Sequence, residues 1–238
     1  MNDRVYIHEF IDIIGHNRAN YMQHMTANWS PIGQEERDQR CYGVWALLGS
    51  TGPWPTTVNM WEHTSWSGLA ASFATETVGK GAQDPALERW WAEASKFRNG
   101  GFDRIMVPAP WTETIEELCA SGVRGETYAH ELVTIEPGTA RDLLERARDE
   151  AELHARHGWK LFGAFTTAMR NDDEALLLWS IPSWQQWADG EADPEFQRWR
   201  TGLHARTWQR ILMTDSPLNP MRIGRQPARS DRVDWADA

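Results

Sequence analysis

A short pattern occurs twice in the chain, and this repetition limits its fold more than any other sequence feature. Tyr6-Ile7-His8-Glu9-Phe10 near the start is matched by Tyr128-Ala129-His130-Glu131-Leu132, with the two histidines 122 residues apart. Later matches keep the same order in both halves: Gly43-Val44-Trp45 with Gly163-Ala164-Phe165, Trp61 with Trp179, and Arg104-Ile105-Met106 with Arg210-Ile211-Leu212. Ordered similarity of this kind is typical of an internal duplication, so we expect two related structural units.

The composition is that of an ordinary globular protein. Of 238 residues, 41% are hydrophobic and 24% are charged. The net charge of −10 and the pI near 5.3 argue against nucleic acid or an anionic membrane as a partner. No apolar run approaches the ~20 residues of a membrane span, and no signal peptide precedes the first strand-like pattern. Because Cys41 and Cys119 also lack metal-type spacing, these features predict a cytoplasmic protein with reduced thiols.

Each half shows the element order of a ferredoxin-like unit, β-α-β-β-α-β. Alternating apolar and polar residues predict strands, and apolar residues on one helical face predict helices. The predicted strands are 4–13, 40–48, 57–63 and 103–107 in the first half, and 126–135, 160–169, 174–181 and 209–214 in the second. The predicted helical segments are 16–39 with a break near Pro31, one from Ser67, 85–97 ended by Asn99-Gly100-Gly101, 139–158, and segments across 183–206.

The repeat divides the chain into four predicted parts. These are a first ferredoxin-like repeat at 1–111, a helical linker at 112–125, a second repeat at 126–216 and an extended C-terminal tail at 217–238. A lone ferredoxin-like sheet carries helices on one face and leaves the other uncovered, so two sheets in one chain are expected to cover each other. The predicted class is therefore α+β, with two tandem ferredoxin-like repeats packed sheet to sheet.

This arrangement resembles the dimeric α/β-barrel superfamily, and the second half is similar to the NIPSNAP family. The residues that carry the second resemblance are Thr134-Ile135-Glu136-Pro137-Gly138, His157-Gly158, Gly163-Ala164-Phe165, Leu178-Trp179 and the run from Trp184 to Trp187. It covers 126–216 and, more loosely, 4–111. Relatives with this pattern carry an arginine where this chain has Glu131, so a ligand preference set by that arginine does not carry over. The superfamily includes cofactor-free monooxygenases, haem enzymes and non-enzymes, so the resemblance implies a fold and leaves the function open.

The two His-Glu pairs provide the candidate catalytic residues. Neighbouring side chains on a strand point to opposite faces, so His8 and Glu9 cannot act on one cavity together. The third strand of the first half adds Glu62 and His63 beside them, which makes this half the better-equipped one, while the second half offers His130. Burial on a central strand raises the pKa of a carboxyl group and lowers that of an imidazole. Both shifts suit acid/base chemistry near neutral pH.

These residues also have a structural interpretation. A buried His or Glu often serves only as a partner for the backbone or for an arginine, here Arg104 or Arg210 on the predicted fourth strands. The presence of His-Glu in both halves is compatible with that role, because structural roles survive duplication as readily as catalytic ones. Within the first pair we favour His8 as the working group, since an imidazole exchanges protons near pH 7 after only a small pKa shift.

Fifteen tryptophans are the second unusual feature of the chain. One interpretation is that these large rings fill the core or a dimer interface. The other is an aromatic-lined cavity for an apolar ligand, with Tyr6, Trp45, Trp61 and Trp179 as the candidate binding residues. If the chain is an enzyme, we expect a cavity where one member of the first His-Glu pair meets Trp45 or Trp61.

Three functions are compatible with these residues. The first is a cofactor-independent enzyme (a lyase, isomerase or oxygenase) that uses acid/base chemistry on a small apolar or aromatic molecule. The second is a non-catalytic binding or interaction protein, and the third is a haem-dependent enzyme of the superfamily. No cofactor or metal is predicted, because His154 and His157 have helical metal spacing but lack a third ligand. We expect a homodimer that purifies colourless and without stoichiometric metal.

Overall fold

The computed structural model describes residues 1–78 and 85–231. Its eight strands are β1 Val5–Ile13, β2 Gln39–Leu47, β3 Thr56–His63, β4 Arg98–Pro108, β5 Thr127–Thr134, β6 Lys160–Thr167, β7 Glu174–Ile181 and β8 Thr207–Asp215. They form a closed barrel in the order β1-β3-β2-β8-β5-β7-β6-β4, and every neighbouring pair is antiparallel. The expected α+β class is confirmed.

Helices cover the outside of the barrel and one of its ends. They are α1 Arg18–Gln23, a π-helix at His24–Trp29, α2 Ser30–Glu36, α3 Trp66–Glu76, α4 Pro85–Ala94, α5 Ile115–Ser121, α6 Ala140–Ala155, α7 Trp184–Ala192, α8 Pro194–Gly202 and α9 Pro220–Ile223. Two apolar clusters lie between the helices and the outer barrel wall, one around Trp61 and the other around Trp179. Within the described ranges, no helix is long and apolar enough to span a membrane.

The first four strands and the last four strands meet at two short joins. The strand order is β4-β1-β3-β2 in the first run and β8-β5-β7-β6 in the second. β2 pairs with β8 over Trp45–Leu47, and β4 pairs with β6 over Met106–Pro108, which is three residue pairs in each join. The inner faces of the two runs therefore face each other across the barrel, and their edges are joined as well.

Strand alternation decides which side chains fill the barrel. On β1, Tyr6 and Phe10 point inward, whereas Ile7 packs against the outer cluster. One end of the barrel is closed by α5 and α9, because Ile115 and Met221 join the interior apolar cluster there. The opposite end is left open, and it becomes the mouth of the pocket described below.

Two glycines allow matching bulges in β2 and β6. The register of β2 against β3 shifts just before Gly43, and that of β6 against β7 shifts just before Gly163. A Cβ atom on Gly43 would lie 2.0 Å from the Trp45 ring, and one on Gly163 would lie 2.7 Å from the Phe165 ring. Each aromatic ring thus occupies the space that a side chain on the glycine would need. Each bulge also changes the direction in which the neighbouring side chains of its strand point.

The region around Asn99-Gly100-Gly101 differs from the sequence-based assignment. The predicted helix 85–97 ends at Ala94, and the three residues lie inside β4 rather than ending a helix. Gly101 has a φ of +148°, and a Cβ atom there would lie 2.0 Å from the carbonyl oxygen of Phe10. Only glycine therefore permits β4 to lie this close to β1, and the glycines mark a close strand approach instead of a helix end.

One further helical assignment needs a correction, and another is confirmed. The segment predicted to break near Pro31 is helical without interruption from Arg18 to Glu36. Pro31 closely follows the π-helical turn at His24–Trp29, so its missing N–H falls where the hydrogen-bond pattern of the helix changes. The segments across 183–206 form two helices that meet at Asp193, whose carboxylate accepts a hydrogen bond from the Glu195 N–H.

The C-terminal tail lies against β2. It contains α9 and a 3-10 turn at Arg229–Asp231, and residues 232–238 lie outside the described residues. The side-chain amide of Gln226 donates to the carbonyl oxygen of Cys41 at 2.9 Å and accepts from the Cys41 N–H at 2.8 Å. The Gln226 side chain thus provides hydrogen-bond partners for both backbone groups of Cys41, next to the bulge in β2.

Candidate functional site

Two histidines from opposite sides of the barrel meet in its interior. His8 on β1 and His130 on β5 are fully buried, and their Nε2 atoms lie 2.9 Å apart. The Phe10 ring contacts both imidazoles edge-on, at 5.1 Å between ring centroids in each case. The two copies of the Tyr-x-His-Glu pattern therefore bring their histidines together.

Burial keeps this histidine pair neutral. Desolvation lowers the pKa of His130 to about 3, and the charge of Arg104 lowers it further. Desolvation also lowers the pKa of His8 well below its usual range, with His130 and Arg104 as additional causes. Between two neutral rings, one Nε2–H donates to the other Nε2. The donor histidine then has a free lone pair on its Nδ1, and the acceptor histidine has a hydrogen on its Nδ1. Within the described residues, neither Nδ1 has a hydrogen-bond partner on another residue.

A pocket of about 310 Å³ opens at the uncapped end of the barrel. His130 forms part of its wall, and most of the lining is apolar. The lining of the pocket includes Phe10, Phe102, Arg104, His130, Leu132 and Ile211. The stacked rings of Phe10 and Phe102, 5.5 Å apart, make one wall flat and aromatic. The volume is at the lower end of the ~300–1,000 Å³ typical of ligand pockets, so it suits a small molecule.

Arg104 provides the positive charge of this pocket. Its Nε donates to Glu174 Oε1 at 2.7 Å, and the Thr167 hydroxyl donates to the same oxygen at 2.7 Å. The guanidinium also lies over the Phe102 ring, 4.4 Å from its centroid. Its Nη1 is buried and has no hydrogen-bond partner among the described residues. The sequence predicts Arg104 only as a structural partner, because nothing in the local pattern indicates that it faces a pocket.

The proposed match of Arg104 with Arg210 is wrong by one residue. Arg104 lies opposite His8 in the β1–β4 register, whereas Arg210 lies opposite Glu131 in the β5–β8 register. A shift of one residue moves a strand side chain to the other face of the sheet. Arg104 therefore points into the barrel and Arg210 points out of it. The residue that corresponds to Arg210 is Asp103, which lies opposite Glu9.

The glutamates of the two His-Glu pairs point outward, away from the histidines. Glu9 accepts hydrogen bonds from the Asn59 side chain at 2.8 Å and from Trp61 Nε1 at 2.9 Å. Burial raises the pKa of Glu9 to about 7, and the negative charge of Asp103 raises it further. The donors on Asn59 and Trp61 act in the opposite direction. Glu9 is thus an outward-facing acid with a pKa near neutrality.

A second, smaller cavity of about 140 Å³ lies outside the barrel next to Glu9. Its lining includes Glu9, Asp103, Trp29, Trp90 and Trp91. It combines three carboxyl groups, those of Glu9, Glu76 and Asp103, with an aromatic wall. It does not communicate with the histidine pair, because the wall of the barrel lies between them. This cavity is therefore a second place at which a member of the first His-Glu pair is available to a ligand.

Glu9→Gln should change the pH dependence of stability. The folded protein holds the Glu9 proton up to about pH 7, whereas the ordinary pKa is 4.5. The contribution of this group is therefore greatest below about pH 4.5 and is lost as pH rises through 7. Relative to wild type, the variant should gain about 1–2 kcal/mol in the free energy of unfolding between pH 5 and pH 8, allowing for partial solvent exposure.

Urea unfolding at both pH values measures this change. The control is Glu145→Gln on the exposed face of α6, for which the difference from wild type should be the same at pH 5 and pH 8. An equal difference at both pH values for Glu9→Gln would contradict the expectation.

In the second half of the chain the corresponding space is filled by an ion cluster. Arg210 donates to Glu131 at 2.8 Å and to Glu191 at 2.9 Å, and it lies 3.4 Å from Glu150. Trp179 Nε1 donates to Glu131 at 3.1 Å, as Trp61 Nε1 does to Glu9. Where the first half has the carboxyl groups of Glu9 and Asp103 with Arg98 acting on both, the second half has an arginine between carboxylates.

The other predicted site residues lie apart from the histidine pair. Glu62 points inward at the closed end, where its Oε2 accepts from the Tyr6 hydroxyl and from the Ile115 N–H, both at 2.9 Å. His63 is buried, and desolvation lowers its pKa to about 4. Trp45 packs inside the barrel against Tyr128. Of the five predicted catalytic residues, only His8 and His130 come together. None of the described residues that line the barrel pocket is a tryptophan.

His154 is one of the two histidines with helical metal spacing, and its surroundings do not fit a metal or a haem. Its Nδ1 lies 2.9 Å from the Glu150 carbonyl oxygen, and its Nε2 lies 2.8 Å from an Arg210 nitrogen. Its ring is stacked on Trp179 at 4.4 Å and on Phe196 at 3.9 Å. Neither a ring nitrogen nor a ring face is left for iron. In the part of the chain that the structure describes, no three His, Cys, Asp or Glu side chains are grouped to hold a metal ion.

Comparison with known proteins gives similarity at the level of structure. No family model and no curated protein sequence matches the chain. An anthrone oxidase-like protein superposes with a TM-score of 0.61 at 9% identity, covering 98% of this chain and 96% of its own. A proposed monooxygenase from Lactobacillus acidophilus gives 0.56 at 7% identity, with 90% and 94% covered. One from Fusobacterium nucleatum gives 0.55 at 9% identity, with 90% and 92% covered. The chain thus has the fold of the dimeric α/β-barrel class.

Proposed function

We propose that the chain is a cofactor-independent oxygenase that removes a proton from a small aromatic molecule bound at the open end of the barrel. The observation that carries this proposal is the neutral His8–His130 pair, of which His130 forms part of the wall of an apolar, aromatic pocket. A pocket of this kind binds a flat apolar ring, and a neutral imidazole with a free lone pair accepts a proton from it.

The pair provides a route for the proton that leaves the substrate. In one tautomer His130 donates through Nε2–H to His8, which leaves the lone pair on His130 Nδ1. When Nδ1 accepts a proton, the Nε2–H of His130 can pass to His8 across the 2.9 Å contact. The positive charge then lies on His8, one residue further from the ligand. The two rings thus act as one base with two positions for the charge.

The low pKa of the histidines belongs to the protein without a bound anion. Burial disfavours the imidazolium, and the positive charge of Arg104 disfavours it further. A substrate that becomes an anion places a negative charge beside the pair as the proton is transferred. Since opposite charges attract strongly where water is excluded, deprotonation of the bound molecule raises the pKa of the pair at the moment when it must hold the proton.

The overall reaction converts a methylene group to a carbonyl group with one molecule of O₂ and releases water. Loss of the first proton gives a carbanion, which transfers electrons to O₂ and forms a C–O bond as a peroxide anion. The O–O bond then breaks as the remaining C–H bond is lost, and hydroxide leaves. The histidine pair returns the first proton to hydroxide, which forms water. The substrate supplies all four electrons, so no further reductant is required.

The comparisons support O₂ as the co-reactant. The three solved structures reported above are described as proposed monooxygenases or as anthrone oxidase-like, and each is matched over at least 90% of this chain. Because their identity is below 10%, the similarity concerns the fold, and the assignment of chemistry to this chain remains our proposal.

We also infer that the barrel arose by tandem duplication of a ferredoxin-like unit, with NIPSNAP-like similarity strongest in the second half. Support comes from the equivalent strand orders of the two runs and from the matching bulges at Gly43 and Gly163. The division at 1–111, 112–125, 126–216 and 217–238 follows from this proposal, as does a homodimer formed through surfaces outside the barrel.

Anthrone is the test compound, because it is a flat aromatic ketone with an acidic methylene group. Protein treated with EDTA should consume O₂ in the presence of anthrone and form the corresponding quinone, one molecule for each O₂. An oxygen electrode and the visible spectrum of the product measure both quantities. O₂ uptake that requires an added metal, flavin or NADPH would overturn the proposal. Binding of anthrone without O₂ uptake would favour the non-catalytic alternative.

A further inference from the structure

The outer cavity next to Glu9 is lined by a carboxylate oxygen that the described residues leave free. Both hydrogen bonds to Glu9, from Asn59 Nδ2 at 2.8 Å and from Trp61 Nε1 at 2.9 Å, go to Oε2. Oε1 accepts none from the described residues and is not fully enclosed by them. A carboxylate that is held in place at one oxygen and open at the other is available to a ligand.

The second half of the chain fills the equivalent space with its own side chains. On β8, Arg210 lies opposite the glutamate of the His-Glu pair, and Trp208 lies two residues before it. On β4, the same two positions carry Asp103 and Gly101. The first half thus has one short side chain and one glycine where the second half has two large side chains, and the outer cavity lies beside them.

Arg210 indicates which kind of group this geometry holds. Its guanidinium donates to Glu131 at 2.8 Å and to Glu191 at 2.9 Å, and it lies over a tryptophan ring, 4.9 Å from the centroid. The first half keeps Glu9 as the counterpart of Glu131. Glu76 at the end of α3 is the counterpart of Glu191 near the end of α7, since each helix follows the third strand of its half. The aromatic wall of the outer cavity consists of Trp29, Trp90 and Trp91.

Two arginines lie near the outer cavity, and neither takes the place of Arg210. Arg37 lines the cavity but pairs with Glu76, at 3.0 Å. The guanidinium of Arg98 lies over the Trp91 ring, 4.2 Å from its centroid. Within the described residues, Arg98 forms no ion pair with either of the other two carboxyl groups of the cavity, so it acts on them only from a distance.

These two carboxyl groups are raised in pKa in spite of Arg98. Burial raises the pKa of Glu9 to about 7, and it also raises the pKa of Asp103, although Arg98 lowers both. The other titratable groups beside Glu9 in the described ranges are the Tyr21 hydroxyl and the Cys41 thiol, which burial keeps neutral. A cation that enters the cavity is therefore expected to displace a proton from Glu9.

We propose that the outer cavity is a binding site for a small guanidinium compound, whose cation lies between Glu9 and Asp103 and against the tryptophan wall. A planar guanidinium presents paired N–H donors to a carboxylate and is more weakly hydrated than an ammonium, so it suits a partly buried aromatic site. The volume of about 140 Å³ admits only a small group. Because the histidine pair takes no part, this inference does not depend on the proposed oxidation.

Methylguanidinium is the probe, and methylurea, which has nearly the same shape but no charge, is its control. Wild-type protein should bind methylguanidinium at pH 8 with a Kd on the order of 1 mM. Binding should be about tenfold weaker at pH 5, where Glu9 is protonated, and methylurea should bind at neither pH. Isothermal titration calorimetry measures the affinities. In two buffers with different heats of ionisation, it also measures the proton released on binding at pH 7.

Two variants test the site in different ways. Glu9→Gln should weaken the binding of methylguanidinium at pH 8 about tenfold and remove most of its pH dependence. Asp103→Arg supplies the side chain that the second half has at this position, so the protein's own cation should abolish binding. Glu145→Gln on the exposed face of α6 is the control and should bind as wild type does.

Urea unfolding checks that the variants are folded, and Glu9→Gln decides the matter if Asp103→Arg does not fold. The inference would be overturned by any of three results. These are no saturable binding of methylguanidinium to wild type at pH 8, equal affinity for methylurea, or unchanged binding in a folded Glu9→Gln or Asp103→Arg variant.

Discussion

Replacing His130 with phenylalanine should lower kcat for anthrone oxidation by about 10²–10⁴-fold, the usual loss when a general base is removed. Phenylalanine keeps a ring at the pocket wall but removes both nitrogens, so the pocket stays filled while the proton acceptor is lost. KM should change much less, because the aromatic wall of Phe10 and Phe102 remains. Steady-state O₂ uptake separates the two constants, and urea unfolding checks that the variant is folded.

Two further variants show which site is responsible. His8→Phe should lower kcat by less than His130→Phe, because His130 keeps its Nδ1 and loses only the partner that takes its other proton. Glu9→Gln alters the cavity outside the barrel and should leave kcat unchanged. If Glu9→Gln abolished turnover and His130→Phe did not, the chemistry would belong to the outer cavity and the proposed function would be wrong in its location.

The Arg210→Met variant should lower the free energy of unfolding by about 3–5 kcal/mol, the usual cost of leaving buried charges without a partner. Arg210 is only 4% exposed, and both Glu131 and Glu150 are fully buried beside it. Methionine fills a similar volume but supplies no charge, so the two carboxyl groups lose the cation that compensates them. The His154 ring also loses the donor that binds its Nε2. Equilibrium urea unfolding at pH 7 measures the effect.

The matched control is Arg206→Met. Arg206 forms an equivalent bidentate pair with Glu136, but the two side chains are 50% and 70% exposed. Water solvates both partners, so this variant should cost only about 0–1 kcal/mol. If the two variants were destabilised equally, burial would not be what makes the Arg210 cluster important.

Much of the architecture could be predicted from local patterns. Alternation on β1 and β5 places both histidines on the same face as Tyr6 and Tyr128, and the repeat indicates that the two strands have equivalent positions. The pattern does not indicate that His8 and His130 touch, because that contact depends on how the edges of the two strand runs close into a barrel. The joins involve only short stretches, such as Trp45–Leu47, and no residue type there indicates the pairing.

The candidate site was harder to predict because it depends on register. Arg104 and Arg210 have the same neighbours in sequence, yet one lies inside the barrel and the other outside. The sequence pattern of β4 does not indicate this displacement, because Asn99-Gly100-Gly101 is typical of a helix end and instead lies inside the strand. At Gly101, β4 approaches the Phe10 backbone of β1, and no sequence pattern indicates that contact.

The positions of the two histidines have a consequence for which of them acts as the base. His8 lies opposite Met60 on β3, and His130 lies opposite Leu178 on β7, so the two rings occupy similar positions in the two strand runs. A symmetric pair would have two degenerate tautomers, with the free lone pair equally often on either ring. Arg104 breaks that degeneracy, because it lies beside His8 while the apolar Ile211 occupies the corresponding place beside His130. The ¹⁵N chemical shifts of the four imidazole nitrogens report the resulting populations. Arg104, a charge outside the histidine pair, thus determines which histidine acts as the base. In a perfectly symmetric barrel neither histidine would be favoured.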